Sequence, residues 1–313
     1  MTDYTQTLID LGYIAASILF IIGIKMLGKQ ERARMGNLMS ALGMLIAVTA
    51  AMFECCLDFT WVITGLVIGS LIGLIAARTV KMTSMPQMVA LLNGFGGIAS
   101  LLVGWANYHS QPDSNLFVRV AVLLAVLIGG VAFSGSLVAY GKLAGKISGR
   151  PILFKRQALI NSLMLAAVLI CSLFLVYKPT GIFAYVVFLL IVTLSLSIGI
   201  FSVTPIGGAD MPVVIALLNS YSGLAASAAG FILLNNVLIV AGSLVGASGL
   251  ILTGIMCKAM NRSLANVLFS GFTTGHGKAV STSVQGEPKP ISAEDAYYIL
   301  EAAASVVIVP GYG

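Results

Sequence analysis

Charge is what this 313-residue sequence has least of: 11 Asp and Glu, 17 Lys and Arg and 2 His leave 9% of it charged, while 58% is hydrophobic. An ordinary soluble domain carries roughly 25% charge, so a water-soluble globule is excluded. The mean hydropathy of +1.02 places the chain in a bilayer. Cysteine is scarce too. Cys55, Cys56, Cys171 and Cys257 show no metal-ligand spacing, which excludes a zinc module, and no metal site is expected. They read as small apolar filler, with an interchain disulfide at Cys55 or Cys56 as the alternative. The start, MTDYTQTLID, has no basic segment ahead of its apolar run. No cleavable signal is therefore expected, and the first span is expected to be retained.

What is present in quantity is apolar sequence in long runs. A hydrocarbon core of roughly 30 Å needs about 20 apolar residues per helix. Nine such runs lie near 7–27, 37–57, 59–78, 85–107, 117–140, 157–177, 181–203, 211–231 and 236–257. Lys25, Lys29, Arg32, Arg34, Arg78, Lys81, Lys142, Lys146, Arg150, Lys155, Arg156, Lys258 and Arg262 all fall in alternate loops; the other loops hold Arg119 and Lys178. By the positive-inside rule the N-terminus lies outside and the C-terminus in the cytoplasm. The net charge of +6 is topology charge and does not indicate a nucleic-acid partner.

One stretch occurs twice. Residues 85–108 read MPQMVALLNGFGGIASLLVGWANY and residues 211–230 read MPVVIALLNSYSGLAASAAG. Met85, Pro86, Ala90, Leu91, Leu92, Asn93, Gly97 and Ala99 match Met211, Pro212, Ala216, Leu217, Leu218, Asn219, Gly223 and Ala225, always 126 positions apart. A constant offset marks an internal duplication. Spans two to five and six to nine form two four-helix units of the same orientation, related by a pseudo-two-fold axis along the membrane normal. Ile72-Gly73 and Ile198-Gly199 keep the offset. Ser134-Gly135 and Ser248-Gly249 are 114 apart, as a shorter outer loop after the eighth span would require.

The duplication gives two asparagines equal depth. With Pro86 and Pro212 at first helical positions, Asn93 and Asn219 lie about 10 Å into the membrane, in its cytoplasmic third. Gly96, Gly97, Ser100 and Gly104 share the face of Asn93; Ser222, Gly223, Ala226 and Gly230 share that of Asn219. Such faces admit close helix approach. Two readings stay open: the amides are packing glue, or they line a polar pathway. No Asp, Glu or His is expected at mid-bilayer, because His109, His276, Glu54, Asp58, Asp113 and Asp210 all lie in loops, at span ends or beyond the last span. Proton carriers usually place such a group inside. This chain offers a wire of Asn, Ser and water, and a proton acceptor would come from another chain.

Past Arg262 the character changes. Residues 263–290 are rich in Gly, Ser, Thr and Pro and read as a linker. Ser292, with Asp295 three residues on, is expected to cap a short helix over SAEDAYYILEAAA. Ser-Val-Val-Ile-Val is expected to be a buried strand, followed by Pro310, Gly311, Tyr312 and Gly313. A strand leading into Gly-x-Gly is how a dinucleotide-binding fold begins; an ordinary strand-to-turn is the alternative.

Four segments carry a family resemblance: IGGADMPVVIALLNSYSGLAASAAGF, LVGASGLILTGIMCKAMNRS, VAFSGSLVAYGKLAGKIS and the terminal SVVIVPGYG. They resemble the beta subunit of proton-translocating nicotinamide nucleotide (NAD(P)) transhydrogenase across all nine spans and the start of its hydrophilic domain. The resemblance implies a membrane enzyme that couples hydride transfer from NADH to NADP⁺ with proton entry to the cytoplasm. It implies NAD(H) on an alpha subunit, NADP(H) on the beta subunit's C-terminal domain, and two alpha-beta units in a bacterial inner membrane. Residue by residue, Asp210, Asn219, Ser136, Gly249 and Arg262 match positions that the family uses in proton conduction or coupling, and Gly311, Tyr312 and Gly313 begin the nucleotide loop. One position departs: many members carry His where this chain has Asn93, so the family's supposed proton acceptor is not carried over.

The expected architecture is an all-α polytopic membrane protein: nine transmembrane helices with a parallel four-helix repeat in a proton-translocating domain (1–262), a linker (263–290) and the start of a truncated Rossmann-like NADP(H) domain (291–313). Such a chain alone is expected to lack hydride-transfer activity. Its partners are the alpha subunit, a second copy of itself and lipid. The alternatives are a secondary transporter with its site between the repeats, and a structural anchor for a soluble dehydrogenase.

Overall fold

The computed structural model describes residues 3–53, 59–261, 263–269 and 292–307. Long apolar helices dominate: α1 (Asp3–Leu27), α2 (Ala33–Met52), α3 (Phe59–Thr79), α4 (Met85–Ser110), α5 (Leu116–Leu143), α6 (Gln157–Tyr177), α7 (Ile182–Val203), α8 (Met211–Leu233) and α9 (Asn236–Ala259). These nine are long and apolar enough to cross a membrane. They fall on the nine expected runs, with one notable difference at α2, which starts at Ala33 and ends at Met52 rather than spanning 37–57.

Their ends follow local chemistry. Pro86 and Pro212 stand in the first turns of α4 and α8, where a missing N–H is harmless. Each of these helices is entered through a 3₁₀ turn, Met82–Ser84 and Gly208–Asp210. Asn115 and Asn235 cap α5 and α9 by accepting from the N–H groups of Val118 and Leu238 at 2.8 and 2.9 Å. Leu234 in the left-handed region, at φ 53°, ends α8 and lets α9 turn back at once.

Packing joins neighbours through small residues. A Cβ on Gly97 of α4 would meet the Gly129 carbonyl of α5 at 2.7 Å, and one on Gly223 of α8 would meet the Gly246 amide of α9 at 2.5 Å. Backbones that close leave no room for side chains or water, and dispersion contacts between them replace the hydrophobic drive that lipid does not supply. α5 also packs on α7 and α8, α4 on α8, α6 on α7, and α1 on α2 and α9. Phe188, Ile191, Leu101, Val126 and Val168 centre the largest apolar cluster. α3 buries none of its residues, whereas α7, its expected counterpart in the repeat, buries a whole face.

The chain divides into two compact units, Met1–Gly271 and Phe272–Gly313. In the first, the start of the expected linker is helical: α10 (Leu264–Phe269) brings a fully buried Val267 into a cluster with Val203, Ile206, Met211 and Cys257. The rest of the linker lies outside the described residues, as do Cys55, Cys56 and His276. In the second unit, Ser292 and Asp295 form a complete capping box at the head of α11 (Ala293–Ala302), as expected. The expected strand is not seen over its described part. Residues 305–307 are irregular and Val306 and Val307 are exposed, and the described residues contain no strand. A lone apolar run has no ladder to join unless another strand lies beside it.

Candidate functional site

Four helices, α4, α5, α7 and α8, converge on the turns that hold Asn93 and Ser136. Asn93 is 6% exposed, and an amide so buried must find a partner. Its Nδ2 donates to the Ile215 carbonyl of α8 at 3.2 Å. Beside it, Gly94 leaves space for Ser136 of α5: a Cβ on Gly94 would lie 3.2 Å from the Ser136 Cβ. Ser136 is fully buried, and its Oγ meets no hydrogen-bond partner among the described residues. Neighbouring Gly135 abuts Leu218 of α8, Val203 and the Gly199 carbonyl of α7.

Asn219 stands one turn beyond Ile215 and is half-buried; its own carbonyl accepts from Ser222 Oγ at 2.9 Å. Gly249 of α9 lies against the backbone of Ser220, where a Cβ would sit 2.8 Å from the amide nitrogen, and Ser220 Oγ donates to the Gly246 carbonyl at 2.6 Å. Thus the sequence-derived residues Asn93, Ser136, Asn219 and Gly249 are linked through α8. α7 packs on α5 at this junction, while α9 packs on α8 and α1.

Asp210 lies at the start of α8, buried, at the dipole-positive end of the helix where a carboxylate is favoured. Around it the helix ends are knitted together by side chains that pattern reading missed. Lys142, in the last turn of α5, is 5% exposed and donates to the carbonyls of Thr204 and Ile206 after α7, the second at 2.7 Å. Gln157 at the head of α6 donates to the Phe201 carbonyl at 2.8 Å, and Gln87 of α4 to the Leu143 carbonyl at 3.0 Å. Helix C-terminal carbonyls lack intrahelical partners, so each of these donors fills a real vacancy. Arg262, Gly311, Tyr312 and Gly313 lie outside the described residues.

At the other end of the bundle the closure is aromatic. Tyr108 stacks on Phe188 with ring centres 4.1 Å apart and donates to the Pro179 carbonyl at 2.8 Å, while Arg119 donates to the Val176 carbonyl at 2.7 Å. Between the two ends, the interior turns of α4 to α9 carry no Asp, Glu, His, Lys or Arg. The junction can therefore orient water and exchange hydrogen bonds. Near neutral pH its amides and hydroxyls do not ionise, so it cannot itself hold a proton.

A family model described as NAD(P) transhydrogenase beta subunit matches residues 9–313. The chain is also 39% identical over 320 residues to NAD(P) transhydrogenase subunit beta of Rhodospirillum rubrum, covering 99% of this chain and 68% of that protein. The same subunit from a named strain of that species is similar to the same extent.

Proposed function

The chain belongs to the NAD(P) transhydrogenase beta subunit family, and from that membership we propose that it supplies the membrane proton path of a transhydrogenase complex. In this reading, hydride transfer from NADH to NADP⁺ is coupled to proton movement into the cytoplasm. Protons pass along the junction of α4, α5 and α8, with Asn93, Ser136 and Asn219 orienting water, and Asp210, Gly249 and Arg262 communicating with the nucleotide domain.

The observation that carries this reading is the pairing of a bonded amide with an unbonded hydroxyl. Asn93 is committed to the Ile215 carbonyl while Ser136 Oγ, against the neighbouring residue Gly94, is buried without a partner among the described residues. A buried hydroxyl left alone costs about 1–3 kcal/mol, so a water-sized guest is favoured there. A glycine seam such as Gly97 on Gly129 has no room for one.

Because the interior turns hold no ionisable acid or imidazole, the proton-accepting group is supplied by the alpha subunit, which also carries NAD(H). NADP(H) binds the C-terminal domain that Gly311, Tyr312 and Gly313 begin. Two alpha-beta units assemble in a bacterial inner membrane, with the N-terminus outside and the basic end of the bundle facing the cytoplasm. The test is the complete alpha-beta complex in sealed vesicles, with hydride transfer to an NAD analogue and internal pH followed together. Hydride transfer without any pH change would overturn the proposal.

A further inference from the structure

Lys142 is a cation in a membrane helix that does not reach for water. Long Lys side chains near helix ends usually run out to the interface, yet this one is buried, with its ammonium on the Thr204 and Ile206 carbonyls. Those carbonyls directly follow α7, where the Thr204 amide closes the last turn on Ile200 at 3.0 Å and the Ile206 amide bonds Val203 at 3.1 Å. The chain then runs through Gly207 and Gly208, whose amide reaches the Gly149 carbonyl at 2.8 Å, to Asp210 and the first turn of α8. An ammonium beside a helix C-terminus is favoured by the dipole as well as by its hydrogen bonds. On its own helix, Lys142 stands six residues past Ser136, about 9 Å along the axis.

Lys142 therefore spans two helices that carry the candidate site. Its backbone belongs to α5, with Ser136, and its ammonium grips the turn that delivers Asp210 and α8. The α5–α6 connection adds two ties to this turn, Gly208 to Gly149 and the Ile152 amide to Thr204 at 3.3 Å. We propose that Lys142 is a positioning residue that braces the α7–α8 turn against α5, so that the hydroxyl of Ser136 and the start of α8 keep one register while the complex couples hydride transfer to proton movement. The inference rests on the proposed role of Asp210 and Ser136 and adds a residue that conducts nothing and touches no nucleotide.

The experiment uses the complete alpha-beta complex in sealed vesicles, with Lys142→Met, Lys142→Arg and Asp210→Asn. Hydrogen–deuterium exchange is read over residues 204–210, with α4 as the internal reference, and protons moved per hydride transferred are read in the same preparations. Lys142→Met is expected to speed exchange of 204–210 about tenfold relative to α4 and to lower the proton-to-hydride ratio more than the hydride rate. Lys142→Arg, which keeps a charged multiple donor, is expected to restore both. Unchanged exchange in Lys142→Met overturns the inference, and so does faster exchange with an unchanged ratio. Failure of Lys142→Met to assemble while Lys142→Arg assembles and couples normally reduces Lys142 to a structural role and overturns it as well. Asp210→Asn separates the premises. A normal ratio there removes the role of Asp210, whereas a lowered ratio beside a normal Lys142→Met complex defeats the brace alone.

Discussion

Asn93 of α4 and Ile215 of α8 are joined by a single hydrogen bond, side-chain amide to main-chain carbonyl, at 3.2 Å. In an α-helix the Ile215 carbonyl is also the acceptor for the amide of Asn219. A carbonyl has two lone pairs, so it can serve both. The two asparagines of the repeated segment are thus neighbours through one oxygen atom, and a change in the α4–α8 contact acts directly on the turn that holds Asn219.

Replacing Asn93 tests that link. Asn93→Leu removes the donor from a buried site and should cost about 1 kcal/mol of thermal stability in detergent. It should also lower proton-coupled turnover of the complete complex. Asn93→His keeps an N–H donor and adds a group that titrates near pH 6.5. It should retain coupled turnover, which a vesicle assay of both variants side by side would check.

Glycine substitutions separate close approach from mere smallness. Gly249→Ala puts a Cβ 2.8–2.9 Å from the backbone and Cβ of Ser220, where little can give, whereas Gly254→Ala meets nothing within 4 Å. The first should lower the melting temperature, at a cost of about 1–3 kcal/mol from overpacking. The second should be neutral or raise it slightly, since Ala is the better helix former by about 1 kcal/mol. Melting curves of the two purified variants, compared with the parent, decide the matter.

How much of this the sequence announces depends on the range of each signal. The nine spans are local signals of composition; Pro86 and Pro212 mark the starts of two of them, and Ser292 marks the start of α11. Lys142 is different. By pattern it is one more basic residue at a span end, and what removes it from that set is a pair of carbonyls 62 and 64 positions away. Gln87 and Gln157 were hidden for the same reason. By sequence α10 reads as linker because Gly and Ser follow it closely, although Val267 joins an apolar cluster. The residues from Ser305 read as strand by β-branching alone, and branching does not supply a neighbouring strand.

Ser136 offers a test in which stability and function should part company. Removing a buried hydroxyl that lacks a partner among the described residues loses no hydrogen bond seen there, so Ser136→Ala should leave the melting temperature unchanged or raise it. If the hydroxyl orients water in the path, the same variant should lose coupled turnover in vesicles. A protein that melts like the parent and pumps like the parent would leave Ser136 with a packing role only.

Asn219→Leu makes the sharpest demand on the proposed path. The side chain is half-buried, on the same turn as Ser220 and Ser222, whose hydroxyls are committed to the Gly246 and Asn219 carbonyls. Leu is close to Asn in size and favours helix, so α8 and its glycine seam with α9 should persist. What Leu removes is the Asn219 amide, which can both donate to and accept from a water molecule. Nucleotide binding, which the proposed function places on another domain and on the alpha subunit, should change little. Coupled turnover should fall by about tenfold or more, the scale of losing one positioned hydrogen-bonding group worth about 1.4 kcal/mol in the rate-limiting step. If the Leu variant moved protons at the parent rate in reconstituted vesicles, conduction would have to run elsewhere, and the paired asparagines would be packing residues that happen to be repeated.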